Sequence, residues 1–378
     1  MLNMLHSFAA WSPVGIPAFL FYVTVVVFVH ELGHFLVARW FGTKVEVFSV
    51  GFGGEIIGFT DRRGTRWKLS WLPIGGYVKF AGDADASSRP DREAAENLTA
   101  EERAGMLSLK PVGQRAAVAA AGPVFNFIFS ILLLTCLYMI TGHELVQPLI
   151  GGVVPGSAAQ AAGIQKGDVV TRIDGTPIDD YFQMAEMFAG SGGSTLTVQL
   201  DRAGRSLTVP LTPRMATTAD GFGGKEIRML AGVQNSPQAK VTRVTYNPVT
   251  AFGAAVTQTV DIVRLTLKGI GQIITGHASI QQLHGPVGIA NIVQKVATVG
   301  ILPYLKFIAF LSVSIGLVNL FPIPLLDGGH LLYYAVEAVL GRPLDERAQD
   351  VGFRLGLVLV LGLMLLVTWN DLARLNLF

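Results

Sequence analysis

Charge is scarce in this sequence. Only 15% of its 378 residues are Asp, Glu, Lys or Arg, against roughly 25% in soluble domains, and 51% are hydrophobic, with a mean hydropathy of +0.48. That balance excludes a wholly water-soluble chain and points to an integral membrane protein with a soluble portion. The net charge of +2, with no basic patch interleaved with aromatics, argues against a nucleic-acid partner. Cysteine is nearly absent: Cys136 stands alone in an apolar run. Neither a disulfide framework nor a thiolate metal site is therefore available, and Cys136 reads as a small packing residue. The N-terminus lacks the basic n-region and cleavage site of a signal peptide, so its first apolar run reads as a retained span. No tandem repeat or low-complexity tract stands out.

Four apolar segments of suitable length for spans are present: about Ile16 to Trp40, Ala116 to Ile140, Tyr304 to Leu326 and Leu355 to Trp369. A short polar turn, Gly341 to Arg347, separates the last two. Basic residues crowd the loop between the first two spans and recur at Arg342, Arg347 and Arg354. The positive-inside rule places both loops in the cytoplasm and the 141–303 region outside. Within the first loop, Val45 to Gly53 alternates and then breaks at glycines, and Arg66 to Pro73 alternates again, the pattern of a small sheet. Ile74 to Phe80 reads as a glycine-hinged apolar loop that dips into the membrane, and 82–106 as a mobile polar surface segment. Trp11, Trp40 and Trp369 read as interfacial anchors. Residues 246–278 carry Val249, Phe252, Val256, Val260, Val263, Leu267, Ile270 and Ile274 at mostly helical spacing, as in an amphipathic helix on the outer membrane surface or one packed against the soluble module that precedes it in the chain.

Inside the first span lies His30-Glu31-Leu32-Gly33-His34. On a helix, the two imidazoles at i and i+4 share one face, where they can hold one zinc ion while Glu31 deprotonates an attacking water. Ionisable groups at membrane depth are costly and rarely idle. Catalytic zinc takes a third protein ligand, and the sequence offers Glu46, Asp327 and His330. The last two fall in Asn319-Leu320-Phe321-Pro322-Ile323-Pro324-Leu325-Leu326-Asp327-Gly328-Gly329-His330, where Pro and Gly interrupt an apolar run. Asp327 is also placed to cap a helix, and Asn319 to make a polar contact between helices. His143, His277 and His284 lie outside the spans and receive no chemistry.

Between the second and third spans, Gly163-Ile164 to Gly167-Asp168-Val169-Val170, followed by Ile173-Asp174-Gly175, resembles a PDZ domain of the bacterial type. A helix over Tyr181 to Ala189 and strands over Thr195 to Asp201 and Ser206 to Leu211 complete it. Such domains take a peptide as an added strand; shaping access to a membrane site is the alternative role.

Together, the HExxH pattern, the Gly51-Phe52-Gly53 hairpin, Gly122-Pro123 with Asn126, and the Asn319 to Asp327 motif resemble the site-2 intramembrane zinc metalloproteases, in their RseP-like branch. The resemblance covers nearly the whole chain. It implies His30, His34 and Asp327 as ligands of one Zn2+, with Glu31 catalytic. It further implies that Asn319 contacts substrate backbone, and that Gly51, Phe52 and Gly53 belong to a membrane-associated hairpin that pairs with substrate. The implied fold is a polytopic α-helical membrane protein of about four spans. It carries a small membrane-associated sheet and an inserted extracytoplasmic α+β PDZ domain.

The expected divisions are a membrane region 1–149, the PDZ domain 150–213, a connector 214–303 and a second membrane region 304–378. The implied home is a bacterial inner membrane, with the PDZ domain periplasmic and the active site toward the cytoplasm. The implied substrates are pre-cleaved single-span proteins, such as anti-sigma factors or remnant signal peptides; the other expected partners are membrane lipid and a protein tail at the PDZ domain. Two departures stand out. One PDZ domain is found where many RseP-like members carry two, and Ser314 stands where some relatives have a second Asn. A non-catalytic receptor using the PDZ domain to bind envelope proteins is the rival reading, disfavoured by the intact Glu31. A zinc transporter would need a ladder of ligands across the spans, which is missing.

Overall fold

The computed structural model describes residues 14–83, 99, 103–219, 225–276 and 283–374. Trp11, His277 and most of the 82–106 segment lie outside the described residues. The chain divides into two compact units, one of residues 1–134 and 284–378, the other of 135–283.

The first unit opens with helix α1 (Gly15–Trp40), which carries the HExxH pattern. Strands β1 (Val45–Thr60) and β2 (Arg66–Phe80) follow as an antiparallel pair with repeated register shifts. Those shifts come from a doubled partnership. Phe48 is opposite both Val78 and Trp67, and Ser49 opposite both Tyr77 and Lys68. Val45–Val50 is therefore the inner segment, and Gly76–Phe80 is an edge with no second strand partner among the described residues. The Ile74–Phe80 stretch, expected as a loop, is thus strand. One face of this sheet covers the C-terminal half of α1, where Phe35, Ala38, Val45, Phe48, Val78 and Phe80 share one buried cluster.

After a 3-10 turn at Leu107–Leu109, helix α2 (Val112–Thr141) runs with Pro123 inside it and crosses the division between the units. It begins one turn earlier than the hydropathy suggests. Glycine decides how closely it meets α1: a Cβ on Gly33 would strike the Ala121 carbonyl and the Phe125 ring, and one on Gly122 would strike both imidazoles. Cys136 is exposed on the surface of α2 rather than packed.

The second unit contains β3 (His143–Val146), β4 (Ile150–Val153), α3 (Ala158–Ala161), β5 (Val169–Ile173), β6 (Thr176–Pro177), α4 (Tyr181–Ala189), β7 (Leu196–Arg202), β8 (Arg205–Leu211), β9 (Arg214–Ala219), β10 (Lys225–Leu230), β11 (Val233–Asn235), β12 (Val241–Val244) and α5 (Pro248–Ile274). Its main sheet has the order β6-β5-β7-β8. The expected helix and two strands appear within a residue of their predicted bounds. However, β11 pairs with β4 and β12 with β3, so hydrogen-bonded strands continue beyond residue 213. Ile150, Ile173, Met184, Val198, Leu200 and Leu211 form the centre of the core. On α5, the buried face is Ala251, Ala255, Thr259 and Ile262, while Val249, Phe252, Val260, Leu267 and Ile274 point outward.

The chain then returns to the first unit with α6 (Pro286–Val299), α7 (Ile301–Asn319), α8 (Asp327–Leu340) and α9 (Glu346–Arg374). The third apolar run therefore stops as helix at Asn319, and α8 occupies residues that hydropathy left unassigned. Tyr22 and Val26 of α1 pack with Val293, Tyr304, Ile308 and Leu311, so α6 and α7 hold the N-terminal half of the HExxH helix. Asp371 of α9 accepts the backbone N–H groups of Gly285 (3.1 Å) and Gly288 (2.7 Å). These are free donors at the start of α6, which gives the Gly285-Pro286-Val287-Gly288 stretch its physical reason. Among the described residues, four helices are long and apolar enough to cross a membrane: Gly15–Trp40, Val112–Thr141, Ile301–Asn319 and Arg347–Ala373.

Candidate active site

The i, i+4 spacing on α1 brings the His30 and His34 rings together, with Nε2 facing Nε2 at 3.3 Å. Asp327 reaches the same point from the other end of the unit. Its delivery depends on an interrupted backbone: α7 ends at Asn319, and Phe321 to Leu326 form tight turns around Pro322 and Pro324. Leu325 sits there at φ +88, a conformation that a non-glycine residue adopts only under strain. The first turn of α8 then presses on this turn so closely that a Cβ on Gly328 or Gly329 would collide with the carbonyls of Phe321 and Ile323. Asp327 is the first residue of α8 and caps nothing; the N-cap position belongs to Leu326, which makes no side-chain bond.

The Asp327 carboxylate straddles both rings. Oδ2 lies 3.1 Å from His30 Nε2, and Oδ1 lies 3.4 Å from His34 Nε2. One ligand atom from each residue falls within 4.8 Å of the others. Donors on a tetrahedral zinc with bonds of about 2.0–2.1 Å stand about 3.3–3.4 Å apart, close to the separations found here. Asp327 Oδ2 is buried with no hydrogen-bond partner, so it has a lone pair free for a cation. Nitrogen, nitrogen and carboxylate oxygen form a donor set typical of catalytic zinc. The residues fit the ion.

Glu31 points into the same cavity of about 240 Å3, whose wall includes His30, His34, Gly76, Asn319, Asp327 and His330. The Val78 backbone hydrogen-bonds its carboxyl group, and Gly76 lies so near that a Cβ there would approach the Glu31 side chain at 3.4 Å. The free sheet edge thus borders the group expected to handle protons.

Other expected residues are placed less uniformly. Asn319 lines the cavity at the end of α7. Gly51, Phe52 and Gly53 do not line it; Gly51 and Gly53 hold positive φ at a bend in β1, and Phe52 stacks on Tyr77 at 5.9 Å. The segment of this sheet that reaches the cavity is Gly76–Phe80. Glu46 is engaged by Lys79 at 3.0 Å and stands outside the cluster. His330 lines the cavity but is not one of the three convergent residues. Ser314 donates to the Phe310 carbonyl of its own helix at 3.0 Å.

Three further residues had no individual role in the sequence reading. The Val118 carbonyl accepts from His34 Nδ1 at 2.8 Å, and the Asn126 amide lies 3.3 Å from His30 Nδ1. Arg115 grips Glu337 of α8 with its two terminal guanidinium nitrogens and lies over the Tyr334 ring at 5.0 Å. The signal that could have found the first two is the small-residue run Ala119-Ala120-Ala121-Gly122 on α2, which permits close approach to α1.

Comparison with known proteins agrees with this geometry. Residues 18–363 match the model of peptidase family M50. A relative from Agrobacterium fabrum named "putative zinc metalloprotease" is 43% identical over 358 residues, covering 94% of this chain and 95% of the relative. Metalloprotease MmpA of Caulobacter vibrioides is 36% identical, covering 95% of each chain. Regulator of sigma-E protease RseP of Salmonella typhimurium is 31% identical, covering 96% of this chain and 99% of the relative. With two histidines, a carboxylate and an adjacent glutamate gathered in one cavity, the chain belongs to peptidase family M50, the zinc metalloproteases of the site-2 type.

Proposed function

We propose that this enzyme cuts a peptide bond within or beside the transmembrane helix of a single-span protein whose outer tail has already been shortened. The convergence of His30, His34 and Asp327 on one point beside Glu31 carries the reading. His30 Nε2, His34 Nε2 and the Asp327 carboxylate hold a single zinc ion. When bound, zinc polarises the scissile carbonyl and makes water acidic enough to react near neutral pH. Glu31 takes the proton of the attacking water on its carboxylate and gives it to the leaving amide nitrogen.

A substrate helix hides its carbonyls in its own hydrogen bonds, so it must unwind to be cut. Each backbone group released in lipid costs several kcal/mol unless it finds a partner. The Gly76–Phe80 edge is open on one side and borders the cavity, so it takes the unwound segment as an added strand; the Asn319 amide holds a further backbone group. Gly51, Phe52 and Gly53 shape the bend that supports this edge.

The 135–283 unit contains the PDZ-like module, which selects shortened tails. The outward apolar side of α5 rests on lipid. The chain resides in a bacterial inner membrane, with that module periplasmic and the catalytic cavity toward the cytoplasm. Anti-sigma-factor-like proteins and remnant signal peptides are the substrate class.

The test is cleavage of a tagged single-span substrate with a truncated outer tail by purified protein in detergent. Wild type should cut it within the span, and Glu31→Gln should not. Replacement of Val78 by Pro, which removes the edge N–H that bonds Glu31 in the substrate-free site, should slow cutting while zinc stays bound. Cutting that survives Glu31→Gln contradicts the proposal.

A further inference from the structure

The two histidines of the cluster are held from behind by different groups, and the difference identifies an additional residue. His34 is unambiguous. Its Nδ1 lies 2.8 Å from the Val118 carbonyl, which can only accept, so Nδ1 carries the proton. In the neutral ring, Nε2 then offers its lone pair toward Asp327.

His30 must meet the same requirement, because its Nε2 faces the same point. Its Nδ1 proton needs an acceptor, and the group at Nδ1 is the Asn126 carboxamide at 3.3 Å. Asn126 is fully buried. With its nitrogen toward the ring, its oxygen has no hydrogen-bond partner, an expensive arrangement in an interior. Amide oxygen and nitrogen exchange places by a half-turn of the side chain, and the hydrogen-bond network decides between them. With the oxygen toward His30, the orphaned acceptor meets the proton that needs it. Ser130, four residues on and on the same helix face, is also buried with an unpartnered hydroxyl. It is an acceptor of the kind the displaced amide nitrogen requires.

The backbone beneath Asn126 is fixed by α7. Ser312 Oγ donates to the Asn126 carbonyl at 3.0 Å. Gly316 packs so close that its Cβ would lie 3.0 Å from the Pro123 carbonyl and 3.1 Å from Asn126 Cβ.

We infer that Asn126 is a positioning residue for the metal centre: its carboxamide oxygen accepts the His30 Nδ1 proton and so directs the Nε2 lone pair at the ion. This inference rests on the zinc reading above. Groups that orient a ligating imidazole typically contribute about 10–100-fold to metal affinity.

The test uses full-length protein in detergent, with zinc affinity measured by competition against a chromophoric chelator. Asn126→Leu should weaken binding about 10–100-fold. Asn126→Asp restores an oxygen acceptor and should stay within about threefold of wild type by the same logic. Melting of the metal-free proteins should change little, separating orientation from folding. Nitrogen-15 spectra of histidine-labelled, zinc-loaded wild type supply a readout independent of any Asn126 variant. The resonance missing from His30→Ala should report a protonated Nδ1.

Zinc held at wild-type affinity by Asn126→Leu but lost in His30→Ala overturns the role of Asn126 and leaves the ligand set standing. Equal failure of Asn126→Asp and Asn126→Leu, or a His30 Nδ1 without its proton, overturns it as well. Wild type that binds no zinc removes both the inference and the reading beneath it.

Discussion

Asp168 in the 135–283 unit and Asp327 in the other unit are both largely withdrawn from water, and their oxygens are met in opposite ways. Arg202 donates to both oxygens of Asp168 at 2.7 Å, and the Gln165 backbone N–H adds a third bond at 2.8 Å. Asp168 is fully buried and fully answered. Asp327 faces two imidazoles whose other nitrogens are already occupied, and its Oδ2 has no hydrogen-bond partner. The first arrangement is what folding alone requires of a buried charge. The second leaves lone pairs directed at a common point, which folding alone does not explain. Burial of a carboxylate is therefore a poor guide to function until its partners are counted.

Several substitutions would break or sharpen that contrast. The largest effect belongs to the side of Asp327. Glu31→Gln should lower turnover about 10^2–10^4-fold, the usual range for loss of a general base, as measured by cleavage of the single-span substrate. On the other side, Asp168→Ala removes the carboxylate that answers Arg202 and the Gln165 N–H. It should destabilise the 135–283 unit by about 1.5–3 kcal/mol, the usual worth of hydrogen bonds to a charged group, measured by denaturant unfolding.

A smaller loss is expected at Asp371, another buried acid, which is met by two backbone donors at the start of α6. Asp371→Ala should cost about 1–2 kcal/mol, as removal of a helix cap does, seen as a lower melting temperature. The smallest effect concerns acid tolerance at Asp61. Burial raises its pKa, but bonds from Arg39, the Thr65 and Arg63 backbones and Trp67 outweigh that and hold it well below the usual carboxylate range. Because the folded value is depressed, its contribution is complete above the unfolded value of about 3.9. It is lost as pH falls through the folded value. Asp61→Asn should lower stability across the neutral region and flatten the acid limb, so that the two stability–pH curves converge as pH falls through the folded value.

What the sequence reveals follows the range of each interaction. His30, Glu31 and His34 are legible because helical spacing alone puts the two rings together. Asp327 is legible only through resemblance to a family, since the Glu46, Asp327 and His330 alternatives differ by tertiary placement that spacing does not encode. Helix α8 was hidden because Gly328-Gly329 reads as a breaker, whereas at a helix start those glycines admit the turn that carries Pro322 and Pro324. The sheet was expected, but not its doubled pairing. Alternation marks Val45–Val50 as strand without saying that it lies between two partners, which leaves Gly76–Phe80 as an open edge and places Gly51–Gly53 at a bend. Strands β11 and β12 are too short to announce themselves and exist because β4 and β3 accept them. Asn126 and Val118 act across a helix interface, and their partners become visible only when α1 and α2 are docked.

The central claim is that Asp327 completes a metal site while the buried Asp168 and Asp371 complete the fold. Counting zinc per chain in wild type, Glu31→Gln, Asp168→Ala and Asp327→Ala tests it most directly. The account predicts one zinc in each of the first three and none in Asp327→Ala. Zinc retained by Asp327→Ala, or a wild type that binds none, would contradict it.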